Sequence, residues 1–98
     1  MLIRIVRMTF QKEKVGDFLK LFSQSKTRIR NFPGCKKLEL HMDFAKENIF
    51  STYSVWEDEA TLNDYRNSEL FKDVWGQTKL LFDKHPVAIS NKLVEEVE

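Results

Sequence analysis

The sequence predicts an α+β domain of ferredoxin-like architecture, with elements in the order β-α-β-β-α-β and a four-stranded antiparallel sheet backed by helices. Three observations predict it. Residues 2–10, 36–44, 49–56 and 87–94 are strand-like, rich in β-branched and aromatic residues or alternating in polarity. Residues 15–29 and 70–82 place apolar side chains at helical spacing. Turn signals punctuate them, chiefly Asn31-Phe32-Pro33-Gly34 and Asp83-Lys84-His85-Pro86. The 98 residues suit one domain, residues 1–98, with no repeat or linker.

Taken in order, the first strand carries Ile3, Ile5, Arg7 and Thr9 on one face and Leu2, Arg4, Val6, Met8 and Phe10 on the other. Both faces are substantially apolar, so something is expected to cover each. The first helix follows a short entry at Gln11–Gly16 and presents Val15, Phe18, Leu19, Phe22 and Ile29. Its acidic start (Glu13, Asp17) and basic end (Lys26, Arg28, Arg30) complement the helix dipole, and that basic cluster reads as a solvated helix end. Cys35 reads as a small apolar residue at strand entry and not as a reactive thiol. In the second strand Leu38, Leu40 and Met42 alternate with Glu39, His41 and Asp43.

The third strand carries Phe50, Thr52, Ser54 and Trp56 on one face and Ile49, Ser51, Tyr53 and Val55 on the other, and pairs with the second as a hairpin. Glu57, Asp58 and Glu59 open the next helix as residues of its first turn; no histidine stands at ligand spacing, so no metal site is expected there. Asn67-Ser68 breaks that helix, with Ser68 as cap of a second segment bearing Leu70, Phe71, Val74, Trp75, Thr78, Leu81 and Phe82. Gly76 inside this stripe marks a close approach or a bend. Val87 to Val94 forms the last strand.

If the helices cover one sheet face, the other is expected to carry Phe50 and Trp56, with Met8 and Phe10, and to need a cover of its own. A homodimer with facing sheets supplies it. The chain has one cysteine, no apolar run of membrane-spanning length and no signal-peptide pattern, which points to the cytoplasm and away from membranes. A net charge of +1, and a third strand without glycine or a basic residue, argue against nucleic acid as partner.

At this point the chain resembles the antibiotic biosynthesis monooxygenase domain family of small dimeric α+β barrels. The carrying features are the first-strand start, Pro33-Gly34-Cys35, Val55-Trp56-Glu57, Glu59-Ala60-Thr61-Leu62, Tyr65, Ser68-Glu69-Leu70-Phe71 and Leu81-Phe82. The resemblance implies a monooxygenase that oxidises a small electron-rich aromatic, such as a quinol, phenol or polyketide-like molecule, with O2 and no cofactor. The substrate itself then acts as the reductant, and the protein binds a flat molecule, favours its deprotonation and excludes water.

Trp56 stands where polyketide-oxidising members carry a strand tryptophan; Thr52 and Leu62 replace their asparagine and tyrosine. The haem-degrading branch uses a tryptophan where Tyr65 stands, a histidine where Trp75 stands and a first-strand asparagine, none of which is present.

The candidate catalytic residues are therefore His41, Trp56 and Tyr65, and the candidate substrate-binding residues Arg4, Thr52, Phe71 and Trp75. His41 is a candidate general base if it faces the cavity, and an exposed strand histidine beside Glu39 and Asp43 if not. Phe71, Trp75 and Phe82 line an aromatic site or form ordinary helix-to-sheet core. One of Arg4 and Arg7 pairs with an acidic substrate group, or each sits in a salt bridge. A non-catalytic dimer that binds a small hydrophobic ligand is the alternative reading.

Overall fold

Alternation and helical spacing become elements close to their expected bounds. In a computed structural model describing residues 1–98, the chain forms β1 (Leu2–Thr9), α1 (Val15–Arg30), β2 (Cys35–Met42), β3 (Ile49–Trp56), α2 (Glu59–Arg66), α3 (Glu69–Thr78) and β4 (Val87–Asn91). Single 3-10 turns at Lys12–Lys14 and Lys79–Leu81 lead into α1 and out of α3. The sheet is antiparallel throughout with order β2-β3-β1-β4, so β3 separates the two strands that α1 connects, as the ferredoxin-like architecture requires. No helix is long and apolar enough to cross a membrane.

The ends of the elements have local causes. Asp43 stops β2 by folding its carboxylate back to accept from the amides of Ala45 (3.1 Å) and Lys46 (3.0 Å); those bonds, and Arg7 beside it, hold its pKa below the usual range. Gly34 turns the chain into β2 at φ +93°, a conformation that favours glycine, and its carbonyl accepts from Glu57 N at 2.8 Å. The acidic run does cap α2: Asp58 accepts from Thr61 N at 2.8 Å, while Thr61 Oγ1 accepts from Asp58 N at 3.3 Å. Ser68 accepts from Phe71 N at 3.1 Å and donates to the Tyr65 carbonyl at 2.6 Å, fixing the break between α2 and α3. Gly76 marks no close approach, since a Cβ built there touches nothing within 4 Å. The last strand ends at Asn91, three residues before the expected Val94.

The two faces of the sheet are assigned the other way round from the expectation. Phe50, Trp56, Met8 and Phe10 face the helices, not the open side. Phe10 stacks on Phe18 of α1 with ring centroids 4.1 Å apart, and Phe50 lies 5.5 Å from Phe18. Trp56 packs with Cys35 and Leu62 under α2. The reason is burial: a large aromatic ring gains most where helices can cover it completely, and the bulkiest parity of β1 and β3 takes that face.

The outer face is left with the odd-numbered parity. Ile3, Ile5, Tyr53 and Val55 are half-buried; Val87 and Ile89 are exposed. Charged groups ring them: Lys37 Nζ sits 5.6 Å over the Tyr53 ring, and Arg7 pairs with Asp43 at 3.2 Å.

Candidate active site

Between the helices and the inner face of the sheet lies a cavity of about 520 Å³, lined mainly by apolar side chains. That volume suits a molecule of two or three fused rings. β1 contributes Arg4, Val6 and Met8, β3 contributes Thr52, Ser54 and Trp56, and the α2–α3 pair contributes Tyr65, Arg66, Phe71 and Trp75. Asn63, Arg66, Asn67 and Ala88 are exposed and mark the mouth; Trp56 and Met8 are buried.

The aromatic wall is a continuous relay of rings. Tyr65 stacks on Trp56 at 4.9 Å and meets Phe71 edge-on at 5.2 Å; Phe71 stacks on Trp75 at 5.8 Å. The Ser68 break separates the two helices that build this wall, Tyr65 on α2 and Phe71 and Trp75 on α3, and the rings of Tyr65 and Phe71 meet across it. A wall of π faces offers stacking partners to a flat ligand without specifying its substituents.

Polar groups on the wall are few and differently committed. Trp56 Nε1 donates to Ser54 Oγ at 3.0 Å, and Ser54 Oγ donates onward to the Arg4 carbonyl at 3.4 Å, so the indole is locked in place. Tyr65, whose ring lines the cavity, makes no hydrogen bond through its hydroxyl, and no fully buried side-chain polar atom lacks a partner, so that hydroxyl is free and keeps some access to solvent. Burial pushes its pKa up to about 12, helped by the neighbouring Cys35 thiol. At neutral pH it is a phenol that can donate a hydrogen bond, not a base. Arg4 Nη1 donates to Ser90 Oγ at 3.0 Å, and its pKa is lowered, first by burial and then by Arg66.

Six of the seven candidate residues line this one cavity: Arg4, Thr52, Trp56, Tyr65, Phe71 and Trp75. His41 does not. It lies on the outer sheet face, its ring stacked on Tyr53 at 5.9 Å and its Nε2 2.8 Å from Glu39 Oε1. The physical reason is parity: His41 pairs with Ser51, and its neighbours of equal parity, Lys37 and Glu39, are solvated. No Asp, Glu or His lines the cavity, and no three His, Cys, Asp or Glu side chains gather as a metal ligand set. Cys35 is buried, donates weakly to the Lys37 carbonyl at 3.6 Å, and has its pKa raised by burial, as suits a packing role.

Two residues of the site were missed from sequence. Ser54 was read only as a member of a strand face; its spacing of two from Trp56 on that face was the available signal. Arg66 carried no signal, because its place at the mouth depends on where α2 ends.

Residues 1–75 match the family model described as antibiotic biosynthesis monooxygenase. Among solved structures, the crystal structure of an antibiotic biosynthesis monooxygenase superposes with a TM-score of 0.91 at 20% identity, covering 97% of this chain and 100% of that one. A conserved protein from Methanosarcina mazei Go1 gives 0.88 at 22% identity, covering 94% and 92%. At such identities these likenesses show the fold. No curated protein matches the chain.

Proposed function

The chain belongs to the antibiotic biosynthesis monooxygenase family, and from that premise we propose that it is a cofactor-independent monooxygenase. The proposed reaction oxidises a small electron-rich aromatic, a quinol, phenol or anthrone-like molecule, with O2 in the cavity between sheet and helices. The observation that carries this reading is the aromatic wall of Trp56, Tyr65, Phe71 and Trp75 lining one cavity, with one neutral phenol as its only uncommitted hydroxyl donor among the rings.

On this reading the flat substrate stacks along the wall, and Tyr65 donates to the ring oxygen on which negative charge grows as the substrate loses its proton. No carboxylate or imidazole lines the cavity, so that proton leaves to water at the mouth. The resulting anion is the electron donor to O2. For a ring CH2 conjugated to an enolisable carbonyl, oxidation to C=O releases four electrons. One oxygen atom enters the new carbonyl and the other leaves as water. Thr52, which follows Trp56 and Ser54 along the same face of β3, adds a hydroxyl that orients the substrate.

A second reading is favoured by the same lack of an ionisable base: the cavity binds a hydrophobic ligand without turning it over. Oxygen uptake with a panel of quinols, anthrones and phenols separates the two. Uptake without added metal or cofactor, one labelled oxygen atom per product, and loss of uptake in Trp56→Phe and Tyr65→Phe support the oxygenase. Binding without uptake across the panel supports the binder.

A homodimer is part of the proposal, on different residues from those first expected. Ile3, Ile5, Tyr53, Val55 and Ile89 form an apolar outer face that a second copy would cover. Light scattering of the eluting protein tests it; a monomer at micromolar concentration would refute it.

A further inference from the structure

Every arginine that lines the cavity lacks an acidic partner. Arg4 and Arg66 both line it, neither takes part in any of the four ion pairs of the chain, and Arg4's side-chain bond is to the neutral hydroxyl of Ser90. Arg7, on the same strand but the opposite face, shows the ordinary solution: it pairs with Asp43 at 3.2 Å. A half-buried guanidinium loses hydration and normally recovers it from a carboxylate; here the charged group that acts on it is another cation, Arg66. Two like charges facing one apolar space are unfavourable until an anion enters between them.

We propose that Arg4 and Arg66 form an anion clamp at the cavity mouth, and that the substrate is an aromatic acid whose carboxylate is held there while its rings lie against Trp56, Tyr65 and Trp75. This rests on the reading of the cavity as the substrate site and narrows the substrate class. Position favours a carboxylate over the ring oxygen that is to be oxidised. Arg66 is exposed at the last turn of α2, beside Asn67, so the clamp sits at the rim, whereas the free Tyr65 hydroxyl lies within the ring wall. Planar guanidinium forks also match the two oxygens of a carboxylate better than the single oxygen of a phenolate. The rim site orders the ligand as well: the charged end stays at the water boundary, and only uncharged rings are drawn inside.

Binding can be read by titration calorimetry and by quenching of Trp56 and Trp75, with naphthoate and its neutral counterpart naphthylmethanol as probes. The wild-type chain is expected to bind naphthoate about tenfold or more tightly than the alcohol, the range of a charge-assisted pair. Arg4→Gln and Arg66→Gln are each expected to bring the two affinities to within about threefold by weakening naphthoate alone, and raised salt to do the same in part. Arg28→Gln, on α1 outside the cavity lining, leaves the preference intact. Because Arg66 is exposed, its variant folds even if the Arg4 variant does not. Equal wild-type affinities, or a preference that survives Arg66→Gln, would overturn the clamp and leave the cavity as an aromatic site. Binding of neither probe would overturn both.

Discussion

Replacing Tyr65 by Phe isolates one hydroxyl in an otherwise unchanged ring wall. The variant keeps the stack on Trp56 at 4.9 Å and the edge contacts to Phe32 at 5.3 Å and Phe71 at 5.2 Å, and it loses no hydrogen bond within the protein. Its stability at neutral pH should therefore stay within about 0.5 kcal/mol of wild type. Alkaline pH should separate the two proteins. Tyr65 titrates at about 12 in the folded chain against an ordinary 10.0, because burial disfavours the phenolate. Below pH 10 both states keep the proton and nothing is lost. Between pH 10 and 12 the unfolded chain ionises while the folded chain resists, so the unfolded state binds fewer protons and stability falls as pH rises. Two pH units correspond to roughly 2 to 3 kcal/mol. Urea unfolding of both proteins below pH 10 and near pH 12 measures it. Wild type should lose stability over that window by more than Tyr65→Phe does, by up to this amount. Cys35, whose thiol is also pushed up by burial, adds a common slope that the comparison largely removes. Equal losses in the two proteins would refute the description of Tyr65 as a buried, neutral donor.

Three further substitutions test the local arguments. Gly34→Ala should cost more than about 1 kcal/mol in urea unfolding, since φ is +93° and a Cβ would collide with the Thr61 side chain of the α2 capping box. Gly76→Ala should stabilise the chain by about 0.5 to 1 kcal/mol and raise the melting temperature by a few degrees, because helix α3 gains propensity and the methyl meets open space. His41→Ala should leave oxygen uptake and ligand affinity unchanged, since its ring lies on the outer sheet face against Tyr53; a large drop would place the chemistry on that face instead.

The elements were legible because their causes are local. Alternation in Ile49–Trp56, the Pro33-Gly34 turn, the acidic cap before α2 and the Ser68 break are all properties of neighbouring residues. Which side of the sheet each parity faces was not legible in that way. Alternation groups Phe50 with Trp56 and Met8 with Phe10, but the same grouping holds whether the set faces helices or solvent. The weight of side chains was the signal that decides it: two phenylalanines, a tryptophan and a methionine form the bulkier set and take the covered face. His41 follows from the same correction, since Lys37 and Glu39 share its parity and mark that face as wet. Within the site, the aromatic residues could be named from sequence, whereas their meeting depends on how α2 and α3 pack across the Ser68 break. Arg66 reaches the mouth because α2 ends there, and no neighbouring residue announces it.

The proposed function requires an aromatic molecule to bind between the sheet and the helices of one chain. Titration of isotopically labelled protein with naphthol, followed by amide and indole NMR resonances, tests it most directly. The indole of Trp75 and the amides of Thr52, Tyr65 and Phe71 should shift together, while those of Ile3, His41 and Tyr53 stay in place. Shifts confined to Ile3, His41 and Tyr53 would contradict it and locate the ligand on the outer face.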